Sequence, residues 1–349
     1  MGKTRRILIT HPNYGLLNFS RIWMFIWVCL QIGLVSAFSQ THYTLTDLGT
    51  FGGDHSIAYG INNSGVVVGV SRAVPDEPST IAADFPFVYS NGVMTAICTC
   101  FGWATAINAA GQITGFASFP TGQHAFLYGN GILKDLGALP GSMSGPPYSL
   151  AYGMNSAGVV VGQTRNEAMV YYQGIMATLG RRAALTAHGI NDSNDIVGTL
   201  QSEHAFLFHN NRLVDLGTLD GDKNGTSEAF AINSSGQVVG YSYIAGNSIQ
   251  RPFLYQNGVM TDLGALSGAF GAAWGINKAG DIVGEFDGSA FIYRNGVMMD
   301  LNDLVQVEPG SKLFHLFTAF SINDLGQIVG RGAFENEYGD RAFLLTPIP

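Results

Sequence analysis

Asp220, Asp222 and Asn224 stand at alternate positions in the segment DGDKNGTSE, residues 220–228, with Gly225 directly after them. Hard oxygen ligands at that spacing, followed by a glycine that permits a sharp turn, are how a calcium loop begins. The bidentate glutamate that closes an EF-hand loop is missing, because Ala231 holds its place. Glu228 is the residue that would substitute for it. The segment is therefore expected either to hold Ca2+ through Asp220, Asp222, Asn224 and Glu228, or to be an ordinary polar loop. Ca2+ is the one cofactor the sequence suggests.

Acid–base chemistry asks for one or two singular carboxylates with shifted pKa. Glu285 with Asp287, and Glu77 with Asp84, are the pairs that would suit a carbohydrate-active hydrolase or lyase. Other acidic residues recur at one position: Asp47, Asp135, Asp215, Asp262 and Asp300. A repeated carboxylate reads as a turn or strand-cap hydrogen bond. His124 and His204 also recur, but Phe85, Glu167, Arg251, Ser289 and Arg341 hold the equivalent positions. That mixture cannot ring a metal, and a strand start near the surface is expected there. No nucleophile elbow, Ser-His-Asp order, phosphate loop or cofactor motif is present.

Aromatic side chains offer stacking chemistry. Tyr59, Tyr152, Phe230, Trp274 and Phe320 each follow a repeated Ala, with Thr105 and His188 as the exceptions. Such side chains either pack between neighbouring units or form a platform for sugar rings near the top of a channel. Trp103, Tyr148, Tyr243 and Tyr338 fall in loop regions and, with Trp274, are the candidate ligand contacts.

The elements that position these residues come from a repeat. Seven segments fit Ala-x-x-Ile-Asn-x-x-Gly-x-Ile/Val-Val-Gly, from AYGINNSGVVVG at Ala58 to AFSINDLGQIVG at Ala319, with a period of about 44 residues. Each unit has a second half, such as RPFLYQNGVMTDLGALSG from Arg251. Short apolar runs broken by Asn-Gly and Gly predict strands and hairpins, with no sustained helical period. Four strands per unit follow: A (AYGIN), B (GVVVGVS), C (HAFLY) and D (VMTDLG). Asn91-Gly92, Asn130-Gly131, Asn257-Gly258 and Asn295-Gly296 predict tight turns with positive φ. Asn194 and Asn211 replace glycines in the fourth unit. Asn is the residue other than Gly that best tolerates that geometry, so positive φ is expected at both.

The fold class is all-β: a seven-bladed β-propeller of four-stranded antiparallel blades. The last unit stops after strand C at Arg341–Leu345, and an orphan strand D, His42–Gly49, begins the array. Joined, they complete the seventh blade and close the ring, which removes exposed edges. An open solenoid would need two caps instead. Residues 39–349 make one repeat domain, expected to be a monomer.

Residues 1–38 read as a signal peptide. Lys3, Arg5, Arg6 and Arg21 precede an apolar run from Ile22 to Val35, and Val35-Ser36-Ala37 offers small residues for cleavage. The run is short for a membrane span, although an uncleaved anchor would also fit. Export is expected either way, to the periplasm, the envelope or the medium. Past the leader, 13 basic side chains face 25 acidic ones. That balance argues against a nucleic-acid partner. Cys29 leaves with the leader, and Cys98 and Cys100 remain, either as small hydrophobes or as a disulfide in an exported protein.

His124-Ala125-Phe126, His204-Ala205-Phe206, the Asp-Leu-Gly-x-Leu segments and the Ile-Asn-x-x-Gly-x-Ile-Val-Gly blocks together resemble the HAF-type extracellular repeat of bacteria, over residues 42–345. Arg251 and Arg341 depart from it where His would stand, and Cys98 replaces the Gly of Asp-Leu-Gly. The resemblance implies an exported bacterial repeat protein and brings no catalytic residues. A non-catalytic binding scaffold for an extracellular protein or polysaccharide is the first expectation. A carbohydrate-active enzyme, and a membrane-anchored envelope protein, are the alternatives.

Overall fold

The computed structural model describes residues 41–74, 83–140, 146–179, 183–266, 268–306 and 312–349. The signal-peptide reading of residues 1–38, Cys29 and Glu77 lie outside them. Among the described residues are seven four-stranded antiparallel sheets and one short 3-10 helix, Leu301–Leu304. No helix there is long and apolar enough to cross a membrane. Six blades are simple meanders in chain order; in the seventh the order is Tyr43–Asp47, Arg341–Pro347, Ile328–Phe334, Phe314–Ile322. The N-terminal strand thus supplies strand D of the last blade, with Tyr43 opposite Pro347 and Asp47 opposite Phe343. The ring is closed as the complementary ends predict.

Apolar seams between blades form the core. Ala58, Ala104, Ala151, Ala187, Ala229, Ala273 and Ala319, the motif alanines, are fully buried. Strand C plugs each blade with Phe87, Phe126, Met169, Phe206, Phe253, Phe291 or Phe343, all 0% exposed. Burying one such side chain contributes about 1.5–3 kcal/mol.

The hairpin turns follow the sequence. Asn91, Asn130, Asn257 and Asn295 have φ of 51–53° and their following glycines 76–82°; Asn194 and Asn211 sit at 63° and 59°. The motif asparagine has two tasks that its repetition alone does not reveal. In blade 3, Asn155 Oδ1 accepts from Ala157 N and Val159 N at 3.1 and 3.0 Å, which fixes its own A–B turn. Its Nδ2 donates across the seam to the backbone oxygen of Asn191 at 3.2 Å. The same bond runs from every blade to the next: Asn62 to Asn108, Asn108 to Asn155, Asn191 to Asn233, Asn233 to Asn277, Asn277 to Asn323, and Asn323 back to Asn62. Seven buried amides close one ring of hydrogen bonds around the axis.

Strand A carries a β-bulge in every blade. Pairing skips one residue between Ala58 and Gly60, and at the equivalent place in the other six. The skipped residue is Tyr59, Thr105, Tyr152, His188, Phe230, Trp274 or Phe320. Plain alternation therefore misplaces these side chains, since a bulge re-aims the extra residue. The bulge also explains the last glycine of the motif. A Cβ on Gly198 would lie 1.9 Å from the carbonyl oxygen of Thr186, and Gly69, Gly115, Gly162, Gly240, Gly284 and Gly330 meet the matching oxygen at 1.8–2.0 Å.

The His of the His-Ala-Phe triplet is buried, against the expectation of a surface position: His124 is 4% exposed and His204 7%. Each Nδ1 pairs with the strand-D carboxylate of its own blade, Asp135 at 2.9 Å and Asp215 at 3.0 Å. Arg251 faces Asp262 at 4.0 Å, and Arg341 faces Asp47 at 3.8 Å. Where Ala96 and Thr178 replace the Asp, the cation is replaced too, by Phe85 and Glu167. The Asp also caps its turn, as when Asp135 Oδ1 accepts from Gly137 N at 2.7 Å. Cys98 and Cys100 form a disulfide.

Candidate functional site: the axial channel

The seven bulges point aromatic side chains at one another around the axis. Ring contacts run unbroken from Trp103 to Tyr59 (5.7 Å), Phe320 (5.2 Å), Trp274 (5.6 Å), Phe230 (4.1 Å), His188 (5.4 Å) and Tyr152 (5.4 Å). Thr105 breaks the pattern, its hydroxyl donating to Ala151 O at 2.9 Å. Trp103, two residues earlier, supplies the ring for that blade. All these contacts join neighbouring blades, and every member is partly exposed. The result is a solvent-reached collar. Burial pushes the phenols of Tyr59 and Tyr152 up to about 12, so both stay protonated donors. The indole Nε1 atoms of Trp103 and Trp274 have no protein acceptor.

One step toward the loop face, the end of the propeller that carries the B–C and D–A connections, the channel wall changes character around the ring. Strand A residues Ile57 and Trp103 pair with strand B residues Val70 and Phe116 in blades 1 and 2. In blades 4–7 the same pairs are Thr186 with Thr199, Glu228 with Tyr241, Ala272 with Glu285, and Thr318 with Arg331. One wall is apolar and aromatic; the other carries carboxylates, hydroxyls and a guanidinium. Glu228 accepts from His188 Nε2 at 2.8 Å, Thr199 Oγ1 at 2.8 Å and the Tyr241 hydroxyl at 3.0 Å. Burial alone would raise its pKa, but the His188 bond and charge with the two hydroxyl bonds outweigh it and hold the carboxyl below its usual range. Burial, then the Glu228 charge, raises the Tyr241 phenol. Glu285 Oε2 accepts from Thr318 Oγ1 at 2.6 Å, while Arg331 is tied to Asp340 at 2.8 Å.

At the other end, the residues after each motif Asn rim the channel mouth. A cavity of about 400 Å³ there is lined by Asn63, Asp192, Ser234, Lys278 and Asp324 over Ile61, Ile276 and Ile322. Bonds from Ser156 N to Asp192 and from Lys278 N to Asp324 bolt neighbouring turns together.

The candidate residues read from sequence divide. Trp103 and Trp274 are collar members. Tyr243 lies beside the collar's edge, its ring 5.6 Å from Tyr241. Tyr148 donates to Asn166, and Tyr338 is fully exposed. The loop residues Asp220, Asp222 and Asn224 are not gathered with Glu228. Asp220 accepts from Asp222 N and Ala245 N, Asp222 accepts from Asn224 N, and Glu228 turns to His188. No group of three or more His, Cys, Asp or Glu that could hold a metal occurs among the described residues. Asp287 caps Ala269 N and Phe270 N, whereas Glu285 faces Thr318, so that pair shares no partner. Asp84 pairs with Arg72 and His55. Sequence reasoning missed His188 with Glu228; the available signal was His in place of the aromatic.

No family model matches the chain, and no curated protein matches it. Solved structures do. The extracellular domain of a proposed one component system from B. thetaiotaomicron aligns with TM-score 0.50 and 10% identity, over 87% of this chain and 40% of that one. The chain thus spans well under half of that structure's length. The β-propeller domain of the Trilobed protease from Pyrococcus furiosus aligns at 0.49 and 8%, over 87% and 93%. A gluconolactonase from Xanthomonas campestris aligns at 0.42 and 9%, over 90% and 93%. At 10% identity the first of these shows a likeness of fold alone, and the seven four-stranded sheets make the chain a seven-bladed β-propeller.

Proposed function

We propose that this chain is an exported, non-catalytic binding propeller of the HAF-repeat type that takes a glycan chain into the loop-face end of its axial channel. The collar is the observation that carries this reading. A pyranose ring has an apolar C–H face and an equatorial belt of hydroxyls. The channel offers aromatic faces for the first, and Glu228, Tyr241, Glu285 and Arg331 for the second. Covering an aromatic face with the sugar's apolar face removes apolar surface from water, at about 25 cal/mol per Å². The resemblance of the repeats, and the basic-then-apolar leader, support export.

The test is a binding screen of residues 39–349 against immobilised glycans and envelope polysaccharides, with calcium and with chelator, run beside Trp103→Ala and Trp274→Ala. Saturable binding that weakens about tenfold in either variant is expected. Binding to protein partners alone, or glycan binding indifferent to both variants, would refute the reading. Product release from a bound glycan, lost in Glu285→Gln, would favour the enzymatic alternative.

A further inference from the structure

We propose that the glycan taken by the collar is cationic, an amino-sugar polymer with free ammonium groups, bound where blades 5 and 6 meet. This rests on the reading of the collar as a glycan site.

Four observations converge on that place. The tightest aromatic pair of the collar is there: Phe230 and Trp274 stack with centroids 4.1 Å apart and planes inclined by 21°. Trp is the best aromatic partner for a cation. Glu228 lies two residues before Phe230 on strand A of blade 5, and Glu285 is paired with Ala272, two residues before Trp274. The two carboxylates belong to the same two blades as the stack, Glu228 turned toward blade 4 and Glu285 toward blade 7.

The charge balance differs from that of blades 7 and 1. Arg331 and Arg72 each have a carboxylate, Asp340 and Asp84, at 2.8 and 3.1 Å. Glu285 is bound only by the Thr318 hydroxyl and enters no ion pair among the described residues. Glu228 has hydroxyls and one imidazole. Arg331 and Arg72 are therefore tied to other carboxylates; Arg331 Nε reaches Glu285 only through the Thr318 hydroxyl, at 3.3 Å, and His188 is the one ion-pair partner of Glu228 among the described residues. Residues 39–349 are negative overall, 13 basic against 25 acidic side chains. A neutral sugar would satisfy the aromatic faces and leave Glu285 without an ion-pair partner. A simple quaternary ammonium would satisfy the charge and leave the hydroxyl-bearing wall unused. An amino sugar uses both.

The experiment is calorimetric titration of residues 39–349 with glucosamine oligomers, N-acetylglucosamine oligomers of equal length, neutral hexose oligomers and choline, repeated with Glu285→Gln. Glu285→Gln keeps the side-chain volume and the acceptor for Thr318. We expect the glucosamine oligomers to bind about tenfold more tightly than their acetylated counterparts, with most of that preference lost in Glu285→Gln and in high salt. Equal affinity for acetylated and free oligomers would overturn the cationic assignment and leave glycan binding standing. Tight binding of choline without the oligomers would also overturn it. If no saccharide binds, the glycan reading itself falls.

Discussion

At the scale of single residues, the chain shows compensation between units that no isolated motif reveals. In five blades the inward Nδ2 of the ring asparagine takes a second acceptor four residues on: Gln112 for Asn108, Gln237 for Asn233 and Gln327 for Asn323 at 2.7–2.8 Å, and Asp195 for Asn191 and Asp281 for Asn277 at 3.1 and 3.2 Å. Unit 3 has Val159 at that place and no acceptor. Asn194 of the next blade supplies one instead, its Oδ1 2.9 Å from Asn155 Nδ2. The sequence explained Asn194 by its backbone alone, which is half of the reason. Asn194→Gly keeps the positive φ and loses the acceptor, which we expect to cost about 1 kcal/mol. Val159→Gln should restore most of that loss when the two are combined, because Gln fills this role in three other blades. Urea unfolding of the parent, both single variants and the double would measure the coupling. Additive losses would show that Asn194 acts only through its turn.

At the scale of elements, strands and turns were legible because period-two runs and Asn-Gly pairs report local backbone preferences directly. The bulge was hidden for the same reason: one extra residue leaves the composition of strand A unchanged and only shifts which side chain faces the axis. Its trace was Ala-aromatic-Gly, two small residues around a large one. The glycine of strand B is the other half of that device, since Gly198 leaves room for the Thr186 carbonyl that the bulge brings over it. We expect Gly198→Ala to destabilise the fold by more than about 4 kcal/mol, the range of severe steric lesions. Gly258→Ala, at an exposed turn with φ 82° and open space around it, should cost about 1 kcal/mol. Similar unfolding midpoints for the two would mean that strand A straightens at little cost, and the collar would then lose its structural basis. The His-Asp clamps were missed likewise, because His124 and Asp135 are 11 residues apart and meet only through strand register.

At the scale of the whole molecule, closure was readable from the complementary ends, and the structure adds the amide ring that fastens it. Asn323 donates to Asn62 O at 3.0 Å, across 261 residues of chain. Such a frame leaves its inner positions free to vary, and in this chain they divide into an aromatic wall and a charged one. The ligand was not legible in sequence, because the collar is assembled from seven units that are each ordinary alone. Nature has placed a reporter in it. The chain has four tryptophans, of which Trp23 and Trp27 precede residue 39. Residues 39–349 therefore hold only Trp103 and Trp274, both in the collar. Titrating residues 39–349 with the glycan selected in the screen, while following tryptophan emission, reads the collar and nothing else. A saturable change in emission, with the same midpoint as binding measured by calorimetry, is what a collar-bound glycan must give. Calorimetric binding with unchanged emission would place the ligand elsewhere on the propeller and contradict the function proposed for the channel.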